Sequence, residues 1–211
     1  MRLLSATPSP YARKARIALM EKGLPFELVT EVPWNDDASA PAHNPLGKIP
    51  VLILDDGAAY YDSRFILEYL ELTHPLPSLL PKDAAGILAH KRLEVLGDGL
   101  CDALVLILIE RMREPEKRSQ AWIVRQRRKI EGALAEIARL VSPDTPFTCG
   151  DSFGLGDIAV GSALGYMDPR FPELDWRARH PHLAALHARL STRPSFAATV
   201  PVVQTMRDKV V

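Results

Sequence analysis

A change in hydrophobic pattern at residues 74–81, the proline-rich stretch His-Pro-Leu-Pro-Ser-Leu-Leu-Pro, constrains the fold of this chain more than any other feature. Before it, short apolar or alternating stretches typical of β-strands are interspersed with helical spacing. After it, only helical spacing remains. This order predicts an α/β domain followed by an all-helical domain, with the prolines in the linker. We place the two domains at residues 1–77 and 83–211.

The first domain is predicted to have the element order β-α-β-loop-β-β-α. Residues 2–5 form a short apolar strand, and residues 11–22 carry small and apolar side chains at helical spacing. The alternation over residues 26–31 favours a second strand. Residues 51–61 contain two apolar runs around an Asp-Asp-Gly turn, which is typical of a β-hairpin. A helix is then predicted to begin at residues 62 and 63.

The second domain is predicted to contain four main helices, over residues 88–108, 122–140, 155–166 and 182–190. The third of these begins directly after Gly154.

Composition and charge exclude several classes of protein. The chain has 211 residues, of which 26 are basic and 26 acidic, so it lacks the basic excess of nucleic-acid binders. Its longest apolar run, residues 103–109, is far short of the roughly 20 residues that span a bilayer, and no signal peptide is recognised. Two cysteines, Cys101 and Cys149, cannot form a disulfide framework. We therefore expect a cytoplasmic protein without nucleic-acid or membrane partners, and no histidine pattern predicts a metal site.

Two helix starts are candidate binding sites. Ser9 stands before Pro10, and Asp62 stands before Ser63. Each pair can simply cap the helix that follows, because serine and aspartate are favoured N-caps. A helix N-terminus with a hydroxyl can also stabilise an anion, and Asp62 with Ser63 could hold the ammonium and carboxylate of a zwitterion.

The stretch Asn-Pro-Leu-Gly-Lys-Ile-Pro at residues 44–50 is the third candidate. Pro50 is either a strand-entry proline or part of a cis Ile49–Pro50 bond that turns the backbone of Ile49 toward an extended peptide. Lys48 is either a solvated side chain or the partner of a carboxylate. Together the three candidates imply a small peptide ligand with a thiol, a terminal carboxylate and an amino-acid head.

These motifs resemble those of one family. Residues 9–16 (SPYARKAR), 44–52 (NPLGKIPVL) and 61–63 (YDS) are similar to the thioredoxin-like half of a glutathione transferase. Residues 150–159 resemble the buried helix start of that family, and residues 180–183 with 193–196 resemble its C-terminal motif. The resemblance implies a thioredoxin-like α/β N-terminal domain followed by an all-α C-terminal domain.

The resemblance also implies a role for each candidate residue. Ser9 takes the place of the catalytic residue of the serine-type members, whose hydroxyl donates a hydrogen bond to the sulfur of glutathione. Lys48 is placed near the glycyl carboxylate, the backbone of Ile49 pairs with the cysteinyl unit, and Pro50 is the cis-proline. Asp62 and Ser63 take the places of the acidic residue and the serine that hold the γ-glutamyl head, and at the acidic position glutamate is commoner in the family than aspartate.

The function implied is that of a glutathione transferase acting on a small hydrophobic electrophile, with glutathione as co-substrate and no metal. The alternatives are a non-enzymatic interaction or regulatory protein of this fold, and a glutathione-dependent reductase or peroxidase. Maleylacetoacetate isomerases carry Ser-Ser-Cys where this chain has Ser-Pro-Tyr, which argues against that activity. The family further implies a homodimer, in which Asp98 or Asp102 could reach glutathione across the interface or could be ordinary exposed carboxylates.

Overall fold

The computed structural model describes residues 1–207. They form two compact units, Met1–Pro81 together with the segment from Arg189 onward, and Lys82–Ala188. The domain boundaries at residues 1–77 and 83–211 stay a prediction. The contacts between residues also show that the segment from Arg189 onward packs within the first unit.

The first unit has the predicted order of strands and helices. Its main elements are β1 (Arg2–Ser5), α1 (Pro10–Glu21), β2 (Glu27–Thr30), β3 (Val51–Ile53), β4 (Ala59–Tyr60) and α2 (Ser63–Thr73). A short 3-10 turn, Ala40–Ala42, lies in the long loop between β2 and β3. Because the helix starts at Pro10 and Ser63 have Ser9 and Asp62 as N-caps, the sequence placed both starts correctly.

The four strands form one mixed sheet with the order β2-β1-β3-β4. β1 is parallel to β2 and antiparallel to β3, with Leu4 opposite Val51, and β3 is antiparallel to β4, with Leu52 opposite Tyr60. The ends of β1, β2 and β4 and the beginning of β3 therefore lie at the same end of the sheet. The chain segments that follow or precede these ends are brought together there.

Both faces of the sheet carry buried side chains, as expected when successive residues of a strand point to opposite sides. Leu4, Val51 and Ile53 form one cluster with Ala40 of the long loop. Leu3 and Leu52, which alternate with them, are completely buried, and α1 and α2 pack against β1 and β3. This packing fixes the helix starts relative to the end of the sheet.

The second unit is helical, as predicted. Its helices are α3 (Ala84–Met112), α4 (Gln120–Leu140), α5 (Leu155–Arg170), the single turn α6 (Trp176–Arg179) and most of α7 (Pro181–Ser191). The last turn of α7 and a further short helix, α8 (Pro194–Ala197), belong to the segment that joins the first unit. The sequence analysis did not predict α6 and α8, which are too short to show a period. Within residues 1–207, no helix combines the length and the apolar character needed to cross a bilayer.

The start of α5 is built from buried polar contacts. Asp157 is fully buried, and its two carboxylate oxygens accept the N–H groups of Thr148 at 2.8 Å and of Gly154 at 2.9 Å. Burial outweighs these hydrogen bonds and raises the pKa of Asp157 to about 6. Nδ1 of the buried His90 accepts the N–H of Gly156 at 3.0 Å, and burial lowers the pKa of His90. The imidazole is therefore neutral, since a protonated ring has no lone pair to accept with.

Candidate functional site

The three candidate segments meet at one end of the sheet. Ser9 follows β1, Ile49 and Pro50 precede β3, and Asp62 follows β4. Leu4 pairs with Val51, so the end of β1 lies level with Pro50, the residue before Val51. Tyr60 pairs with Leu52, so the start of α2, two residues after Tyr60, also lies level with Pro50. The topology thus brings together residues that are far apart in the sequence.

Ser9 has both a structural contact and an unused donor. Its Oγ accepts the N–H of Ala12 at 3.2 Å, which caps α1, and its own N–H donates to the carbonyl of Ala6 at 3.1 Å. Within the described chain, the hydroxyl hydrogen has no acceptor, and the side chain is only half-buried. A serine hydroxyl has one donor and two acceptor lone pairs. Capping the helix therefore leaves the donor available for a ligand.

Ile49 offers a free backbone edge. The Ile49–Pro50 peptide bond is cis, as the family resemblance implied. Pro50 is buried, and the half-buried Ile49 side chain packs against the cluster around Leu4 and Val51. Neither the N–H nor the C=O of Ile49 has a hydrogen-bond partner in residues 1–207. Both groups can pair with an extended ligand in the manner of an added strand.

Asn44 holds the loop that leads to Ile49, a role that the sequence analysis missed. This buried side chain donates from Nδ2 to the carbonyl of Lys48 at 2.8 Å and accepts the N–H of Leu46 at Oδ1 at 2.9 Å. The carbonyl of Asn44 accepts the N–H of Gly47, whose φ of +60° suits glycine, at 2.8 Å. An asparagine in front of a proline is the signal that could have revealed this turn.

Lys48 is exposed, and its ammonium makes no ion pair within the part of the chain that the structure describes. Its backbone is fixed by Asn44, so the side chain starts from a defined point at the end of the sheet. This arrangement fits the carboxylate-binding interpretation and leaves the charge available.

Asp62 is engaged by a partner that the sequence analysis did not consider. Its Oδ1 accepts the N–H of Arg64 at 2.9 Å, and its Oδ2 lies 3.1 Å from Nη2 of the same arginine. Desolvation acts to raise the pKa of Asp62, but the hydrogen bonds and charge of Arg64 outweigh it and lower the pKa. Ser63 is a buried residue, and its hydroxyl makes no hydrogen bond to another residue within residues 1–207. The carboxylate is therefore ionised, and it caps α2 while facing a guanidinium.

The electrostatics of this end of the sheet favour an anionic ligand. The N-termini of α1 and α2 both lie there, and each carries a partial positive charge from the aligned peptide dipoles. Lys48 adds a full positive charge. A thiolate and two carboxylates on one small peptide match this distribution.

The remaining candidates lie in the second unit. On α3, Asp98 is buried and Asp102 is exposed. Their part in glutathione binding stays a prediction. Cys101 is buried, Cys149 is half-buried, and burial is the main cause that raises the pKa of Cys149. Cys149 is thus not an activated thiol. In the described residues, no group of three or more His, Cys, Asp or Glu side chains is placed to hold a metal ion.

Comparison with known proteins shows which family the chain belongs to. The N-terminal domain of glutathione S-transferases matches residues 8–73, and the C-terminal domain of that family matches residues 120–189. An uncharacterised glutathione S-transferase-like protein of Escherichia coli, YibF, is 37% identical over 95% of this chain and 98% of its own length. The chain belongs to the glutathione S-transferase family. The family and the fold class predicted from the sequence are thus confirmed.

Solved structures are similar over the whole glutathione transferase fold. A glutathione S-transferase from Methylobacterium radiotolerans, in complex with glutathione sulfonate, is 63% identical, with a TM-score of 0.97 over 100% of this chain and 99% of the other. One from Methylobacillus flagellatus with glutathione bound is 40% identical, with a TM-score of 0.90 over 95% and 99%. Among the curated relatives, a maleylacetoacetate isomerase of Pseudomonas aeruginosa is 30% identical over 81% of this chain and 82% of its own.

Proposed function

We propose that this glutathione transferase binds glutathione at the end of the sheet and that Ser9 donates its hydroxyl hydrogen to the sulfur. The proposal rests on the two separate functions of the Ser9 hydroxyl group, as acceptor and as donor. Its oxygen accepts from Ala12, and its hydrogen has no acceptor in residues 1–207. A donor held at a helix N-terminus stabilises a thiolate more than a thiol. The glutathione and glutathione sulfonate in the two similar structures support the choice of ligand.

The rest of the tripeptide matches the other groups. The backbone of Ile49 pairs with the cysteinyl unit, and Lys48 meets the glycyl carboxylate. Ser63 and the N-terminus of α2 take the carboxylate of the γ-glutamyl head. Asp62 takes its ammonium while still capping α2, because a carboxylate can accept more hydrogen bonds than the two from Arg64.

The energy available is enough to ionise the thiol. A thiol with a pKa of about 8.5 is only about 3% ionised at pH 7, and a decrease of two units requires about 2.7 kcal/mol. A hydrogen bond to a charged acceptor supplies about 1.5–3 kcal/mol. The helix N-terminus adds about 0.3–1 kcal/mol. Ser9 and α1 together therefore supply the stabilisation that the chemistry needs.

The reaction that follows is conjugation to a small hydrophobic electrophile. The thiolate sulfur forms a bond to an electrophilic carbon, the leaving group departs with its electron pair, and the thiol proton passes to solvent. Family membership favours an enzyme over a non-enzymatic interaction protein. Pro10 and Tyr11 after Ser9 still argue against the isomerase activity of the more distant relative.

We also propose a homodimer. Each unit exposes a pair of apolar side chains seven residues apart on one helix, and such spacing places both on one face. On α2 these are Phe65 and Leu72, which are 52% and 76% exposed. On α3 they are Leu88 and Val95, which are 68% and 65% exposed. A second copy of the chain would cover these side chains.

The substitution Ser9→Ala tests the assignment. Ser119 provides a matched control, because it is the N-cap of α4 in the other unit and also accepts a backbone N–H, that of Trp122, at 3.2 Å. Both alanine variants lose a cap worth about 1 kcal/mol. We expect only Ser9→Ala to lose conjugation activity, by roughly 10- to 100-fold, as the loss of one charged hydrogen bond implies.

The measurements are steady-state turnover with an aryl halide and calorimetric titration with glutathione. Ser9→Ala should still bind glutathione, and Ser119→Ala should turn over like the parent protein. Equal turnover by Ser9→Ala and the parent would refute the role of Ser9. Binding of glutathione by the parent without any conjugation across an electrophile panel would favour a reductase or peroxidase instead.

A further inference from the structure

The segment of residues 200–207, which we call the C-terminal strap, lies across the loop that carries Ser9. Thr7 in that loop makes two hydrogen bonds to the strap. Its N–H donates to Oε1 of Gln204 at 3.2 Å, and its Oγ1 donates to the carbonyl of Val202 at 2.9 Å. These contacts join residues almost two hundred positions apart, within one compact unit.

The strap is anchored on both sides of Thr7. Just before the strap begins, the carbonyl of Ala198 accepts a hydrogen bond from Nη2 of Arg16 on α1 at 3.1 Å. At its far end, the N–H of Arg207 donates to Oδ1 of Asn35 at 3.1 Å, and its guanidinium lies 2.5 Å from Asp37. The strap therefore runs from α1, past the end of β1, to the loop after β2.

The middle of the loop between β1 and α1 has few other restraints, although both ends of the loop are held. The loop contains Ala6, Thr7, Pro8 and Ser9, and its one internal backbone hydrogen bond in the described chain joins Ser9 N–H to Ala6 C=O. Pro8 has no N–H to donate. Gln204 is the partner of the Thr7 N–H, so the strap holds the polar groups in the middle of this loop.

We propose that Gln204 and Thr7 are positioning residues that hold the Ser9 hydroxyl in line with the thiol of glutathione. This inference rests on the proposed function of Ser9. The loop immediately precedes the N-cap, so freeing Thr7 allows the Ser9 hydroxyl to move away from the sulfur. Displacement of a catalytic group by about 1 Å can cost up to 100-fold in rate. The binding contacts of Ile49, Lys48 and Ser63 belong to other segments and stay in place.

The test compares the parent protein with Gln204→Met, which keeps the length of the side chain and removes the acceptor. Thr205→Ala is the control, because Thr205 is the exposed neighbour and makes no hydrogen bond in the described chain. We expect Gln204→Met to lower kcat about tenfold, with the KM for glutathione changed less than twofold. The pH profile of kcat should move to higher pH, because the bound thiol ionises less readily.

Thr205→Ala should match the parent in kcat. The ultraviolet absorbance of the thiolate in the glutathione complex, followed against pH, gives a reading independent of turnover. A Gln204→Met variant with the parent's kcat and thiolate titration overturns the inference, as does a loss of activity without any shift in the pH profile. Ser9→Ala measured alongside separates the two ideas. If Ser9→Ala is impaired and Gln204→Met is not, only the positioning role fails, and if Ser9→Ala is fully active, both fail.

Discussion

Adding a single methyl group at Gly156 should destabilise the protein, because the start of α5 leaves no room for it. A Cβ atom on this residue would lie 2.7 Å from Oγ1 of Thr148, 3.1 Å from Cδ1 of Leu93 and 3.2 Å from Nδ1 of His90. Thr148, Leu93 and His90 are themselves buried, so none can move into solvent. The Gly156 N–H is also the donor to His90.

The size of the effect follows from three contributions. Overpacking a filled site costs about 1–3 kcal/mol. Weakening the hydrogen bond to His90 costs about 1 kcal/mol. Replacing glycine by alanine in a helix returns about 0.4–1 kcal/mol through the entropy of the unfolded chain. We expect Gly156→Ala to lower the free energy of unfolding by about 2 kcal/mol and the melting temperature by about 4–8 °C.

Gly132 on α4 supplies the matched control. A Cβ there meets no atom within 4 Å, so Gly132→Ala should raise the free energy of unfolding by about 0.4–1 kcal/mol. The same chemical change thus has opposite signs at two helical positions. Thermal unfolding of both variants, followed by circular dichroism, gives the comparison. A Gly156→Ala protein as stable as the parent would contradict the close packing of Gly156 against His90 and Thr148.

Two further predictions concern pH and assembly. The pKa of His90 is lowered in the folded protein, so its contribution to stability is present above about pH 6.5 and is lost as the pH falls through the lowered value. Asp157, with its pKa raised to about 6, acts in the opposite direction, because below pH 6 the folded state takes up this proton first. His90→Asn, which keeps an acceptor and cannot be protonated, should therefore gain stability relative to the parent between pH 7.5 and pH 5 in urea unfolding, and a difference independent of pH would contradict the assignment. If the exposed side chains of α3 lie in a dimer interface, the double variant Leu88→Glu, Val95→Glu should sediment as a monomer, whereas the parent protein sediments as a dimer. Parent protein that is monomeric at micromolar concentration would exclude the dimer.

Local sequence patterns were sufficient for much of the fold. The Ser9–Pro10 and Asp62–Ser63 pairs fixed two helix starts, and the Asp-Asp-Gly turn fixed the hairpin, because each depends on neighbouring residues only. The β2 strand shows the limit. Leu28 is 39% exposed while Val29 packs toward the core, because β2 is an edge strand and its alternation alone does not say which face is covered.

In the candidate site, too, the sequence predicted the features that depend on neighbouring residues and missed those that depend on the three-dimensional arrangement. The cap at Ser9 was predicted, but the unused donor on its hydroxyl could be seen only once all neighbouring acceptors were placed. The pairing of Asp62 with Arg64 was missed, although the two are close in sequence, since an exposed arginine can adopt many conformations. Contacts between distant segments, such as Thr7 with Gln204, leave no periodic signal in the sequence and required the three-dimensional structure.

The proposed role of the strap has a consequence for the order in which the enzyme becomes active during synthesis. The sheet and both of its helices emerge from the ribosome early, but the loop next to Ser9 gains its last restraints only when Gln204 has been translated and can reach Thr7. A nascent chain that already contains every residue proposed to contact glutathione would still lack the restraint that we propose for the Ser9 hydroxyl. The proposed roles of Ser9 and Gln204 then imply that thiol activation starts only after the helical half has been made.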